Sequence, residues 1–207
     1  MEWVDLHPLV ARGAANAPNF VIEAAVREAA IEFCERTDAY QLEETVFFTT
    51  DFDEYQVTPP ENYEVCHYLD LTLISTNTRI QPASLKDLRA EQRRVAAGTP
   101  AYFASLDNTH FLIAPKPAKD EEAAAIFSVK PTVEATEIPD TIGQEHREAI
   151  AAGALTRLLA QADAPWRDMQ MSQVYGRQFR RDIHRVARQV KYGFGGASLR
   201  VHHREFF

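Results

Sequence analysis

The chain has 207 residues, 45% of them apolar and 25% charged, which is enough for one sizeable core or for one domain carrying a large insertion. No apolar run approaches the roughly 20 residues of a membrane span, and Met1-Glu2-Trp3-Val4-Asp5 is acidic where a secretory signal is basic, so neither membrane insertion nor export is expected. The net charge of −8 is uneven: Trp166 to Phe207 holds nine Arg and Lys against three acids, a basic segment on an acidic body.

The first predicted element is a helix from Pro18 to Thr37, with Asn16 as its cap and Pro18 at its start. Ile22, Val26, Ala29 and Phe33 recur at helical spacing and define its buried face. Glu28, Ile31 and Glu35 fall on the other side. Ile31 there reads either as a lone exposed apolar residue or as a contact to another subunit.

From Gln41 to Thr136 the texture changes to strands and turns. Thr45 to Thr49 and Leu69 to Leu73 have β-rich or alternating patterns, and Ala101 to Leu106 and Thr109 to Ala114 flank Asp107-Asn108 as a two-residue hairpin turn. Ala125 to Val129 adds a strand. One short helix interrupts the block, with Ser84 as N-cap, Asp87 three residues on, Leu85, Leu88 and Val95 inward, and Gly98 as the stop.

Helix then resumes from Asp140 to about Ala162, with Ile150, Ala154, Leu158 and Leu159 as its buried stripe. Gly153-Ala154 leaves room for a close neighbour. After Pro165 a last helix runs from Asp168 to Tyr192. Tyr175, Phe179, Ile183, Val186 and Val190 share one side of it. Arg177, Arg181, His184 and Arg188 lie opposite, flanked by Arg185 and Lys191. That basic face suits DNA, an acidic surface on another protein, or plain solvation. Read as a subunit contact, it names Arg177, Arg181 and Arg188, with Glu28 and Glu35 of a neighbour as counter-charges.

Beyond Gly193-Phe194-Gly195-Gly196, Leu199, Val201 and His203 alternate with Arg200, His202 and Arg204, and Phe206-Phe207 close the chain. Period-two alternation and two phenylalanines suit a strand laid on a partner's sheet edge.

No motif for catalysis or cofactor binding stands out in the sequence. There is no GxxxxGK[ST] and no GxGxxG between strand and helix; Gly193-Phe194-Gly195-Gly196 follows a helix rather than opening one. No GxSxG or SxxK is present. Cys34 and Cys66 lack metal or redox spacing and read as reduced core residues. Cys66-His67 are adjacent on a strand and point to opposite faces. Asp51-Phe52-Asp53-Glu54 lacks the glycine and terminal glutamate of a calcium loop, and His202-His203 is the only histidine pair. No catalytic, cofactor or metal site is expected.

Three stretches in order carry a resemblance. The first is Leu6-His7-Pro8-Leu9 through Ala17-Pro18 and the helix ending Glu32-Phe33-Cys34-Glu35-Arg36-Thr37. The second is Gly98-Thr99-Pro100-Ala101-Tyr102 with Phe111-Leu112-Ile113-Ala114-Pro115-Lys116-Pro117. The third is Ile138-Pro139-Asp140, Ala149 to Leu155, Leu158-Leu159 and Ala164-Pro165-Trp166 through Phe179. In this the chain resembles the head-to-tail adaptor proteins of short-tailed phages, including the tail tubular protein A group. Glu43 to Asn77 matches only in its strand-rich texture.

The resemblance implies a structural virion protein without enzymatic activity or cofactor, made in the host cytoplasm. It implies one copy of a closed ring, usually of twelve, with the portal above, the tail nozzle or tube protein below, and genomic DNA in the channel. Leu199, Val201, His203, Phe206 and Phe207 are then the candidate portal contacts. The expected fold is mainly α with a β insertion. A bundle of one N-terminal and two C-terminal amphipathic helices carries a β-rich middle domain and an extended C-terminal tail. The expected divisions are 1–40, 41–136 (with a short helix at 84–97), 137–192 and 193–207.

Overall fold

The computed structural model describes residues 1–192. A 3-10 turn (Trp3–Leu6) leads to α1 (His7–Ala11) and α2 (Asn19–Thr37). The middle of the chain forms β1 (Gln41–Phe48), β2 (Glu54–Gln56), β3 (Tyr63–Leu73), β4 (Thr78–Arg79), β5 (Gln81–Pro82) and α3 (Leu85–Arg94). It continues through β6 (Ala97–Gly98), β7 (Tyr102–Ser105), β8 (His110–Ala114), β9 (Lys116–Pro117) and β10 (Glu121–Pro131). Then α4 (Asp140–Glu145), α5 (Arg147–Leu159) and α6 (Met169–Tyr192) follow.

Two cores organise these elements. In the first, α5 lies between α2 and α6, and the three helices bury Val26, Phe33, Ile150, Leu158, Phe179 and Ile183. The α5 backbone can sit this close only because residue 153 is glycine: a Cβ there would lie 2.9 Å from the Ala29 Cβ and 2.9 Å from the Phe179 ring. The Trp3 indole N–H donates to the Ala135 carbonyl (2.7 Å) and closes the start of the chain over this core.

The second core lies between two antiparallel-rich sheets of strand order β1-β10-β3-β4 and β2-β8-β7-β5, the one parallel neighbour pair being β5 and β7. Val46, Phe48, Leu71, Leu73 and Phe127 of one sheet meet Tyr55, Phe103, Phe111 and Ile113 of the other. The Phe48 and Tyr55 rings pack tilted across the gap, 4.6 Å between centroids. On the far face of the second sheet, α3 places Leu88 against Ala104, Leu112 and Ala114. Tyr40 packs against both cores and marks their joint.

The expectation of a mainly α fold is overturned. The described residues are about 42% helical and 27% strand, with three sheets beside six α-helices. The β part, between α2 and α4 in the chain, is a sandwich with its own core. The shortfall came from β3 and β10, each eleven residues long where five-residue strands were expected. The first half of β10, Glu121-Glu122-Ala123-Ala124-Ala125, has the composition of a helix. It becomes a strand because β1 and β3 hydrogen-bond to it on both sides, and its small alanines fit beneath the facing sheet.

Local corrections have local causes. Asn16 does not cap α2; it takes a left-handed turn (φ 70°), and Pro18 stands at the cap. The predicted helix from Asp140 is broken at His146 (φ −117°, ψ 15°), whose ring packs on Phe33 at 5.0 Å. Helix α3 stops at Arg94, with Val95 already extended and Gly98 inside a short strand. Its start is as expected: the Asp87 N–H donates to the Ser84 Oγ, which donates to the Asp87 carboxylate (2.7 Å). The hairpin joining β7 to β8 is present, but its turn is longer than the two residues expected: Ser105 pairs with Phe111 and the Leu106 N–H donates to the His110 carbonyl, leaving Asp107, Asn108 and Thr109 between them.

Candidate functional site

The described residues bring together no set of His, Cys, Asp and Glu that could hold a metal ion. Burial pushes both the Cys34 and the Cys66 thiols up to about 12, which keeps them protonated at neutral pH. The nearest approach to a catalytic constellation is Asp38, His67 and Ser128. Asp38 ends α2 in a left-handed conformation (φ 53°) and receives both the Ser128 hydroxyl and the His67 Nδ1 (2.8 Å) on one carboxylate oxygen. The Ser128 oxygen in turn accepts the His67 backbone N–H. A nucleophile needs a base on its hydroxyl proton with the imidazole in between, and here serine and histidine both point at the aspartate. The cluster pins the exit of α2 to β3 and β10. Asp53, of the acidic loop, is likewise structural, accepting from the Gln92 side chain of α3 (2.9 Å).

The candidate surface residues separate into two kinds. On α2, Glu28 and Glu35 are exposed and Ile31 is half-buried. Both glutamates already meet cations of their own chain. Arg157 of α5 lies 3.5 Å from Glu28 and bonds Glu32 more closely, while Lys130 of β10 reaches Glu35 at 3.4 Å and Glu64 at 3.3 Å. Burial alone would raise the Glu32 carboxyl, but hydrogen bonds and charge from Arg36 and Arg157 outweigh it and hold it below the usual range. The Arg157 guanidinium also lies over the Phe179 ring at 5.9 Å, so the seam of α2, α5 and α6 is tied by charge as well as by packing.

On α6 the opposite holds. Phe179, Ile183 and Val186 are buried, and Tyr175 and Val190 pack at the edge of the core. Arg177, Arg181, His184 and Arg188 are all exposed. The one α6 ion pair among the described residues is Arg185 with Asp182, off to the side of that stripe. Among the described residues neither Glu28 nor Glu35 forms an ion pair with Arg177, Arg181 or Arg188.

Leu199, Val201, His203, Phe206 and Phe207 lie outside the described residues. Sequence reading missed Arg157 and Lys130 because their partners lie on other elements. It also did not single out the exposed side chains of Phe47, in a strand, and Phe52, in the acidic loop. No helix of the described residues is long and apolar enough to cross a membrane.

A family model described as SU10 adaptor protein matches residues 2–201. No curated protein matches the chain.

Proposed function

The chain belongs to the SU10 adaptor protein family, and from that premise we propose that it is a head-to-tail connector subunit, one copy of a ring that joins the portal to the tail and extends the DNA channel. Membership itself makes it a phage structural adaptor and a component of the virion, with a non-enzymatic role. The observation that carries the reading is the extent of the match, which runs through the helical core and the sandwich alike and so is not a small shared module. The ring holds twelve copies, with the portal above and the nozzle or tube protein of a short-tailed, tail tubular protein A-like phage below.

Opposite charge on two parts of one chain supports a head-to-tail contact between copies, because such a contact joins two different faces. Mass measurement and electron microscopy of the chain with and without portal test this. The isolated chain is expected to be monomeric or weakly associated, and to close into a ring on the portal. A portal that takes up no chain overturns the proposal. Deleting residues 194–207, which include the portal-contact candidates Leu199, Val201, His203, Phe206 and Phe207, is expected to abolish docking and leave the thermal melt unchanged.

One observation favours a second reading as a nucleic-acid-binding domain: the exposed arginines of α6. It predicts DNA affinity that falls steeply with salt in the absence of any portal.

A further inference from the structure

The molecule's acidic charge is concentrated as strongly as its basic charge. Between Thr37 and Thr78 the sequence holds nine Asp and Glu and not one Lys or Arg. The far end of this block is a tip built from the end of β1, the turn into β2 and the start of β10. Phe47 (65% exposed) and Phe52 (62% exposed) flank a single depression of about 560 Å³ there, with Tyr55 at its floor. Glu54, Gln56 and His110 also line it, exposed Asp51 precedes Phe52, and exposed Glu122 stands directly across the strand pair from Phe47. Single exposed apolar residues are ordinary, but two phenylalanines framing one hollow, with Asp51, Glu54 and Glu122 beside them, form a patch.

The tip is far from its own chain's cations on α6. Gln41, where β1 begins, shares a concavity with Gln189 and Val190 near the end of α6. Phe47 is six residues further along the strand, roughly 20 Å away at the strand rise. That is well beyond the screening length of about 8 Å at physiological salt, and among the described residues no ion pair joins the tip's acids to Arg177, Arg181 or Arg188.

We propose that the acidic tip bearing Phe47 and Phe52 docks on the α6 stripe of a second copy of this chain, with Arg177, Arg181 and Arg188 against Asp51, Glu54 and Glu122. The two surfaces match in more than sign. Val174 (41% exposed) and Met171 (39% exposed) lie beside the arginines on α6 and offer apolar ground for the two phenylalanines. Guanidinium groups also settle favourably over aromatic rings. Aromatic residues and arginines are the side chains that dominate protein contacts. Tip-to-helix contact is heterologous, the type from which rings close. This places the partner surface differently from Glu28 and Glu35, whose charges are met by Arg157 and Lys130 within the chain. The inference rests on the ring reading and names the faces through which neighbours meet.

Site-specific photo-crosslinking on the full chain tests it, because a contact too weak to survive purification still leaves a covalent record. With Phe52 replaced by p-benzoylphenylalanine, and light and heavy isotope-labelled chains mixed, irradiation is expected to give adducts within residues 171–188 of the other chain. Combining Arg177→Glu, Arg181→Glu and Arg188→Glu is expected to lower their yield at least about tenfold, and Asp51→Lys with Glu54→Lys and Glu122→Lys to do the same. Mixing the two reversed chains is expected to restore the yield, since every α6 then meets a tip of opposite charge. No inter-chain adduct, or adducts mapping elsewhere, overturns the proposal. So does an arginine reversal that abolishes binding to a DNA duplex while the adducts persist, which assigns the stripe to nucleic acid. If adducts fail while portal still recruits the chain into rings, only these faces are wrong. If they form while portal recruits nothing, the connector role fails and the contact stands.

Discussion

The seam between α2 and α5 and the outward face of α6 use the same residue type to opposite ends. Arg157 stands in the seam with two glutamates within ion-pair distance and an aromatic ring beneath it. Arg177, Arg181 and Arg188 stand on the next helix with no described carboxylate facing them. Charge that finds its opposite inside the chain serves the fold, and charge that the fold leaves unmatched is available to a partner. Glu28 and Glu35 of α2, which the sequence pairs with a neighbour's arginines, also meet cations of their own chain.

The sharpest way to break this contrast is inside α6 itself. Phe179→Ala removes the ring that packs against Gly153 and under Arg157, and is expected to cost about 3–5 kcal/mol in denaturant unfolding. Arg181→Ala, two positions on, is expected to stay within about 0.5 kcal/mol of the parent. Comparable losses at both positions would mean that the stripe serves the fold after all.

A smaller effect is expected in the seam. Arg157→Ala leaves Glu28 and Glu32 without their cation, in a site that is partly open to water, and is expected to cost about 1–2 kcal/mol. A double-mutant cycle with Glu32→Gln separates the ion pair from the stacking on Phe179. The sign of the pH effect follows from the lowered carboxyl of Glu32. A group depressed in the folded state stabilises above its ordinary value and loses that stabilisation as pH falls through its folded value. Glu32→Gln is therefore expected to flatten the acid limb of a stability profile, whereas reversing the α6 arginines leaves that limb unchanged.

The smallest expected effect is local to the β7–β8 turn. The Asp107 carboxylate accepts the backbone N–H groups of Thr109 (2.8 Å) and His110 (2.7 Å), and these bonds lower it from 3.8 to about 2. The turn is expected to hold above the upper value and loosen as pH drops through the lower one. Hydrogen exchange at the Thr109 and His110 amides, with the α6 amides as an internal reference, reads this directly. Loosening of α6 in the same window would contradict a purely local origin.

Much of this protein was legible without coordinates wherever the information is a repeat along the chain. The buried face of α2, the two-sided character of α6 and the Ser84 cap are periodicities or near-neighbour hydrogen bonds, and the backbone fixes them before any distant contact forms. The lengths of β3 and β10 were not legible, since an Ala- and Glu-rich run becomes a strand only when strands pair on both its edges. Nor was the fate of Glu32, whose arginine lies 125 residues away. The exposure of Phe47 was hidden for the same reason: alternation says that Phe47 and Phe48 face opposite ways, and only the second sheet, closing over Phe48, decides which of them is left in water. Periodicity belongs to the sequence, but pairing and closure belong to whichever elements the tertiary structure brings together.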